Sequence, residues 1–210
     1  MEQEQLLLPS QDENGVYGFA DEYDNWIIPP QFEEAGDFAE GVAAVRINGK
    51  WGFIDKRMRF IIRPRFEEAT GFSEGLAAVV ITDRRPGDRD FSDKWGFIDM
   101  RGDWVIQPRF DKASIFSEGL AAVQINGKWG FIDKREDWVI QPRFDEARWF
   151  LRGLAEVKIK GKWGFIDKAG NIVIKPQFDE VLYGFGSNGE AWVEKNGHTF
   201  RINQQGNRLP

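Results

Sequence analysis

Between Ala121 and Asp133 the chain reads Ala-Ala-Val-Gln-Ile, then Asn-Gly, then Lys-Trp-Gly-Phe-Ile-Asp. Two runs of strand-forming residues flank a dipeptide whose members both tolerate positive φ, the pattern of a two-residue type I′ hairpin. On the returning strand, alternation places Trp129, Phe131 and Asp133 on one face and Lys128, Gly130 and Ile132 on the other. A turn follows, clearest in Asp167-Lys168-Ala169-Gly170-Asn171, where the leading Asp can bond its own backbone. A third strand, Trp138-Val139-Ile140, is expected to end at Pro142, which lacks the donor that a ladder needs. No helix is required; the nearest candidate, Phe144 to Phe150, is about one or two turns lying between Pro142 and Gly153.

This pattern recurs. Lys-Trp-Gly-Phe-Ile-Asp begins at Lys50, Lys94, Lys128 and Lys162, and the tryptophans Trp95, Trp129 and Trp163 are 34 residues apart. Trp51 to Trp95 is longer because Thr82 to Asp93 interrupts one copy. Weakened copies appear at Tyr17-Gly18-Phe19 and around Thr199-Phe200. A second phrase travels with the first, in Ile62-Arg63-Pro64-Arg65-Phe66 and its counterparts ending at Phe32, Phe110, Phe144 and Phe178. A third, Phe72-Ser73-Glu74-Gly75-Leu76-Ala77, recurs from Phe38 and Phe116 and more loosely near Gly153 and Gly189. Repeated units of this size bury their apolar faces on their neighbours, so arrays of them act through surface more often than through catalysis.

These three linked phrases resemble the WG-repeat family, also called KWG repeats, over nearly the whole chain from about Tyr17 to Asn203. The resemblance implies a β-rich repeat that mediates interactions, with no catalytic residues to carry over. The insertion from Thr82 to Asp93 and both end copies depart from the family pattern.

The organisation expected is a single repeat domain over residues 1–210, with an acidic N-terminal cap at 1–16 and a C-terminal cap at 199–210. The repeats are expected at 17–50, 51–94, 95–128, 129–162 and 163–198. The fold class expected is all-β, with three-stranded antiparallel units of about 34 residues stacked in an open, solenoid-like array; a five-bladed, propeller-like ring is the alternative. Propeller blades of four strands use roughly 40–45 residues, more than these units offer, and degraded end copies suit an array better than a closed ring.

Composition adds exclusions. The 41% apolar and 30% charged balance is that of an ordinary soluble protein. No apolar run approaches the roughly 18 residues of a membrane span, and the acidic start around Leu6-Leu7-Leu8 is unlike a signal peptide, so the chain reads as cytoplasmic and free of the membrane. There is no cysteine, hence neither disulfides nor thiolate metal sites. The Asp series (Asp55, Asp99, Asp133, Asp167) reads as turn residues, one carboxylate per copy being too sparse for calcium. The Trp series reads as core packing beside glycine, ahead of a stacking platform for sugars or bases. The single histidine, His198, lies in an end copy without a nucleophile motif, and the acidic pairs repeat where catalytic pairs would be singular. The chain therefore reads as non-enzymatic, with no cofactor or metal.

Charge is unevenly placed: residues 1–45 hold eleven acids and no Lys or Arg, within a net charge of −6 that argues against general nucleic-acid binding. Candidate partner-binding residues are the acids Glu33, Glu34 and Asp37, the bases Arg57 and Arg59, and, in the insertion, Arg84, Arg85 and Arg89. The function expected is a protein-interaction scaffold or adaptor, with self-association through charged ends as one mode of binding. A carbohydrate-binding module using aromatic side chains of successive repeats is the alternative.

Overall fold

The computed structural model describes residues 6–81 and 93–210, and throughout them the chain is all-β, without a helix. The first sheet holds β1 (Leu8–Gln11), β2 (Tyr17–Ala20) and β3 (Trp26–Phe32); the second holds β4 (Glu34–Ala35), β5 (Val42–Ile47), β6 (Lys50–Asp55) and β7 (Phe60–Phe66). The third is β8 (Glu68–Ala69), β9 (Ala77–Val80), β10 (Trp95–Ile98) and β11 (Trp104–Phe110), and the fourth β12 (Lys112–Ser117), β13 (Leu120–Ile125), β14 (Lys128–Ile132) and β15 (Trp138–Phe144). The fifth is β16 (Glu146–Leu151), β17 (Leu154–Ile159), β18 (Lys162–Ile166) and β19 (Ile172–Phe178), and the sixth β20 (Glu180–Tyr183), β21 (Glu190–Lys195) and β22 (His198–Asn203). Each is an antiparallel meander. The chain divides into two compact units, Met1–Arg109 and Phe110–Pro210.

The Asn-Gly hairpins form as the pattern requires, with Asn48, Asn126 and Asn196 at φ 50°, 51° and 53° and their glycines at 71°, 73° and 71°. Two features differ from expectation. The four middle sheets carry a further short strand ahead of the three expected, and the stretch from Phe144 to Phe150 enters it as β16. It is a strand because Phe150 must reach the core, 4.9 Å from the Phe131 ring, while a second left-handed turn, Arg152-Gly153, returns the chain to β17. The third expected strand also runs on through its proline. In β7, Trp51 stands opposite Phe66 and Phe53 opposite Ile62, so Gly52 alone faces Arg63, Pro64 and Arg65. The two extra residues make a bulge, and proline, with no N–H to satisfy, is suited to it.

That bulge explains the Trp-Gly dipeptide. The bulged backbone folds down onto the glycine, so that a Cβ added at Gly130 would lie 2.6 Å from the Ile140 carbonyl oxygen, 2.8 Å from the Pro142 nitrogen and 2.9 Å from the Trp138 ring. Gly18, Gly52, Gly96 and Gly164 are crowded in the same way.

Both faces of each inner sheet are buried. In the first unit Phe53 points into a cluster with Phe66, Phe72, Ala77, Val79 and Ile98, while its neighbour Ile54 points the other way, towards Leu7, Phe19, Ile28 and Phe32. In the second unit Phe165 joins Phe178, Phe185, Val193 and Ile202, and Ile166 joins Phe131, Phe144 and Phe150. Within each unit the consecutive Phe-Ile of the repeat thus glues a sheet to its neighbours. The sixth sheet ends this pattern: Ala191, Val193 and Ile202 face the fifth sheet, but Arg201 takes the place of Phe53 and Phe165 and pairs with Glu190 at 3.2 Å.

Substituting Gly130 by Ala forces the bulge away from β14 and is expected to lower stability by about 2–3 kcal/mol. Urea unfolding of the variant checks this, and an unchanged midpoint would show that the bulge does not depend on the glycine.

Candidate functional site

Most polar residues of the repeat are engaged inside the scaffold. In the fourth and fifth sheets the acid that follows Pro-x-Phe reaches both a lysine of its own sheet and the hairpin turn of the next. Asp145 accepts from Lys128 Nζ at 2.6 Å and from the Lys160 backbone N–H at 2.6 Å; Asp179 bonds Lys162 and the Asn196 N–H. The lysine ammonium first, and the turn N–H after it, hold both carboxyls below the usual range. Glu33 accepts the Gly49 N–H of the second sheet's hairpin at 3.0 Å, and Glu34 pairs with Arg46 within the second sheet at 2.5 Å, so two predicted partner-binding acids are engaged inside the scaffold. Arg65 and Arg143 each lie over the neighbouring phenylalanine and donate to the Gly102 and Gly170 carbonyls of the next sheet. Glu40 and Glu118 accept the N–H of Gly75 and Gly153 at 3.0 Å, joining successive turns.

The Asp series is likewise a set of turns. Asp55 Oδ1 accepts the N–H groups of Arg57 and Arg59, and Asp21, Asp99, Asp133 and Asp167 repeat this two and four residues on. Asn203 makes the same two bonds, so an acceptor oxygen suffices. In Asp55 and Asp99 the N–H four residues on leads in lowering the pKa, and in Asp167 the Asn171 side chain leads. Arg59 folds back onto Asp55 at 2.6 Å, while Arg57 is exposed. Asp37 is exposed on the segment after β4. Arg84, Arg85 and Arg89 lie outside the described residues.

The tryptophans follow suit. Trp163 is 2% exposed, Trp51 and Trp129 pack against the cores of their units, and Arg148 and Lys158 stand over the Trp163 ring at 4.6 and 5.2 Å.

What varies between copies in the second to sixth sheets lies elsewhere, on their first and second strands. The two residues ahead of the Phe of the third phrase are Gly36-Asp37, Thr70-Gly71, Ser114-Ile115 and Arg148-Trp149, and the corresponding pair in the sixth sheet is Leu182-Tyr183. The second Ala of Leu-Ala-Ala-Val, buried as Ala44, Ala78 and Ala122, becomes Glu156 and then Trp192. Trp149, Tyr183 and Trp192 are 48%, 71% and 42% exposed, and Tyr183 stands directly opposite Trp192 on the neighbouring strand. Sequence reading missed this set because it looked for what repeats; the signal was the departure from the repeat.

A charged knot supports the set. Arg148 donates to Glu156 and to Glu180 at 2.8 Å and to the Val181 carbonyl at 2.9 Å, tying β16 to β20. Burial pushes the Glu156 carboxyl up, and Arg148 opposes it. Its Oε1 lies over Gly184, where a Cβ would be 2.3 Å away.

A model described as "WG containing repeat" matches residues 17–51, 51–84, 95–129, 129–163 and 163–197, and the chain belongs to this WG-repeat family. Among solved structures it is similar to one described as the eukaryotic initiation factor, at 12% identity and a TM-score of 0.59 over 99% of this chain and 63% of that one. It is also similar to Hsv2 of Kluyveromyces lactis, at 10% identity and 0.54 over 81% of this chain and 59% of that one. These are β-propeller-like folds, the likeness is one of fold alone, and the chain spans about three-fifths of their length. No curated protein matches the sequence.

Two outcomes follow for stability. Carboxylates with lowered pKa values stabilise the fold above the unfolded value of about 4 and lose that contribution as pH falls through the folded values. Unfolding midpoints are therefore expected to drop between neutral pH and about pH 3, and Asp167→Asn, which keeps the acceptor, is expected to reduce the drop while leaving the neutral midpoint nearly unchanged. Arg148→Ser strands the buried Glu156 and is expected to cost about 2–3 kcal/mol. Adding Glu156→Ala, which restores the small pair found in the fourth sheet, is expected to recover most of that loss in thermal melts.

Proposed function

We propose that this chain is a non-enzymatic protein-interaction scaffold whose recognition surface lies on the first two strands of the fifth and sixth sheets, centred on Trp149, Leu182, Tyr183 and Trp192. The observation that carries this is the pairing of variation with exposure. The scaffold is built equally well with Gly-Asp, Thr-Gly or Ser-Ile at these positions, so the large exposed rings are not required by the fold. Exposed apolar area of this kind, unexplained by packing, marks interaction sites, and Trp, Tyr and Arg are the residues that dominate binding energy. Support from β16 and β20, tied together through Arg148, keeps the rings on rigid strands. The acids and Asp-led turns that catalysis or metal binding would use are occupied by the scaffold's own lysines and N–H groups.

The same rings favour carbohydrate as a second reading, because aromatic faces stack on sugars as well as on protein. Trp149→Ser combined with Tyr183→Ser is expected to leave the fold intact and to abolish capture of a specific protein from the native cell extract. Retention of every captured protein by this variant would refute the scaffold reading. Quenching of the intrinsic tryptophan fluorescence by glycans, lost in the variant, would instead establish the carbohydrate reading.

A further inference from the structure

Five Asn-Gly dipeptides occur among the described residues: Asn14-Gly15, Asn48-Gly49, Asn126-Gly127, Asn188-Gly189 and Asn196-Gly197. In such a pair the glycine nitrogen, with no side chain beside it, has open access to the asparagine side-chain carbonyl carbon. What holds that nitrogen differs from pair to pair. Gly15 donates to the Asp12 carbonyl and Gly189 to the Gly186 carbonyl, each at 3.0 Å, and the Asn188 side chain also accepts from the Glu190 N–H. Gly49 donates to the Glu33 carboxylate at 3.0 Å. That carboxylate anchors the nitrogen and, as a negative charge beside it, opposes loss of its proton. Asn196-Gly197 is held through the asparagine: Asp179 accepts the Asn196 N–H at 2.6 Å, and His198 Nδ1 lies 2.9 Å from the Asn196 carbonyl oxygen. At Asn126-Gly127 both residues are exposed, and no described residue accepts either turn N–H or bonds the Asn126 side chain.

We propose that Asn126 is a site of spontaneous deamidation, the first of the five to convert, and that its conversion loosens the β13–β14 hairpin as the protein ages. Hydroxide removes the Gly127 N–H proton, the nitrogen bonds to Asn126 Cγ, and the Cγ–Nδ2 bond breaks. The departing nitrogen takes a proton from water and leaves as ammonia, so a succinimide ring remains. Water opens the ring at Cγ to give isoaspartate's isomer, ordinary aspartate, when the Cγ–N bond breaks, or isoaspartate when the main-chain bond breaks; the net reaction consumes water and releases ammonia. Ring closure requires the Gly127 nitrogen to swing towards Cγ, out of the left-handed turn, so the rate follows how often the turn opens. Glu33 at Gly49 and Asp179 at Asn196 restrain that opening, whereas at Asn126 the flanking ladder, which ends with Ile125 opposite Lys128, is the restraint. Isoaspartate carries its β-carbon in the main chain, so a loop matched to type I′ geometry lengthens and its strands lose register. Ala122 and Phe131 of this hairpin lie in a core with Phe150 and Ile166 of the fifth sheet, so a change at the turn reaches the packing.

Incubating the full chain in mildly alkaline buffer tests this, with peptide mapping by liquid chromatography and mass spectrometry to separate the Asn, Asp and isoaspartate forms. The expected order of conversion is Asn126, then Asn196, then Asn48, and the aged chain is expected to melt at a lower temperature than the fresh one. Asn126→Lys is expected to remove the fastest phase of ammonia release and most of that loss in melting temperature. Lysine suits the position, because Lys160-Gly161 forms the same turn in the fifth sheet at φ 50° and 77°. Glu33→Ala, which frees Gly49, is expected to bring the Asn48 rate up towards that of Asn126 and to leave the Asn126 rate unchanged. Melting curves of both variants keep global unfolding from counting as a local effect. A parallel incubation in denaturant, where the three sites are expected to convert at similar rates, separates the effect of the fold from that of flanking sequence. Conversion of Asn48 as early as Asn126 in the folded chain overturns the proposal, as does an Asn48 rate unmoved by Glu33→Ala. So does an Asn126 that stays intact until the chain unfolds.

Discussion

The contact between a glycine and a bulged strand governs this architecture. Where Ile-x-Pro-x-Phe crosses Trp-Gly, three residues stand opposite one, and the bulged backbone takes the volume that a Cβ would fill. Each partner makes sense only with the other: proline suits a bulge because it has no N–H to satisfy, and the bulge fits because its counterpart has no side chain. Bending the outer strand there places Ile62 opposite Phe53 and Phe66 opposite Trp51, which sets the side chains that meet the next sheet. Two short phrases, separated in the chain, recur together because they form one joint.

Junctions between sheets reuse a small kit. Phe and Ile of the repeat face opposite ways, an acid bridges a lysine and the next hairpin turn, and an arginine stacked on phenylalanine holds a carbonyl of the next sheet. These links are mostly partly exposed, so each contributes modestly, and their value lies in fixing where one sheet sits on its neighbour. The kit also absorbs the residues that look most functional in the sequence. Because the repeated charges and rings serve the junctions, whatever distinguishes this protein from other arrays rests on positions that the junctions leave alone.

On the first strands, residues free to vary pass from Gly36-Asp37 to Arg148-Trp149 and Leu182-Tyr183, and the part-buried Arg148–Glu156 pair compensates the change within the fifth sheet. A rigid frame thus presents side chains that the frame does not need, which is how repeat proteins acquire binding surfaces without new folds.

The sequence by itself determined the repeat, the all-β class, the Asn-Gly hairpins and the Asp turns, because these depend on neighbours close along the chain and on residues with few conformational options. It also placed Trp129 and Phe131 on one face, since alternation is local geometry. The short first strand was not legible: Glu34-Ala35 or Glu146–Leu151 becomes a strand through pairing with β5 or β17 and through a phenylalanine drawn into a neighbouring core. The proline within the third strand misled for the same reason, since a bulge exists only once the strand opposite is present. Tertiary structure alone decided the candidate site. Glu33 is spent on the hairpin of the next sheet and Glu34 on Arg46 within its own, while Trp149, Tyr183 and Trp192 are left exposed, and burial depends on which sheets meet, which no short stretch of sequence contains.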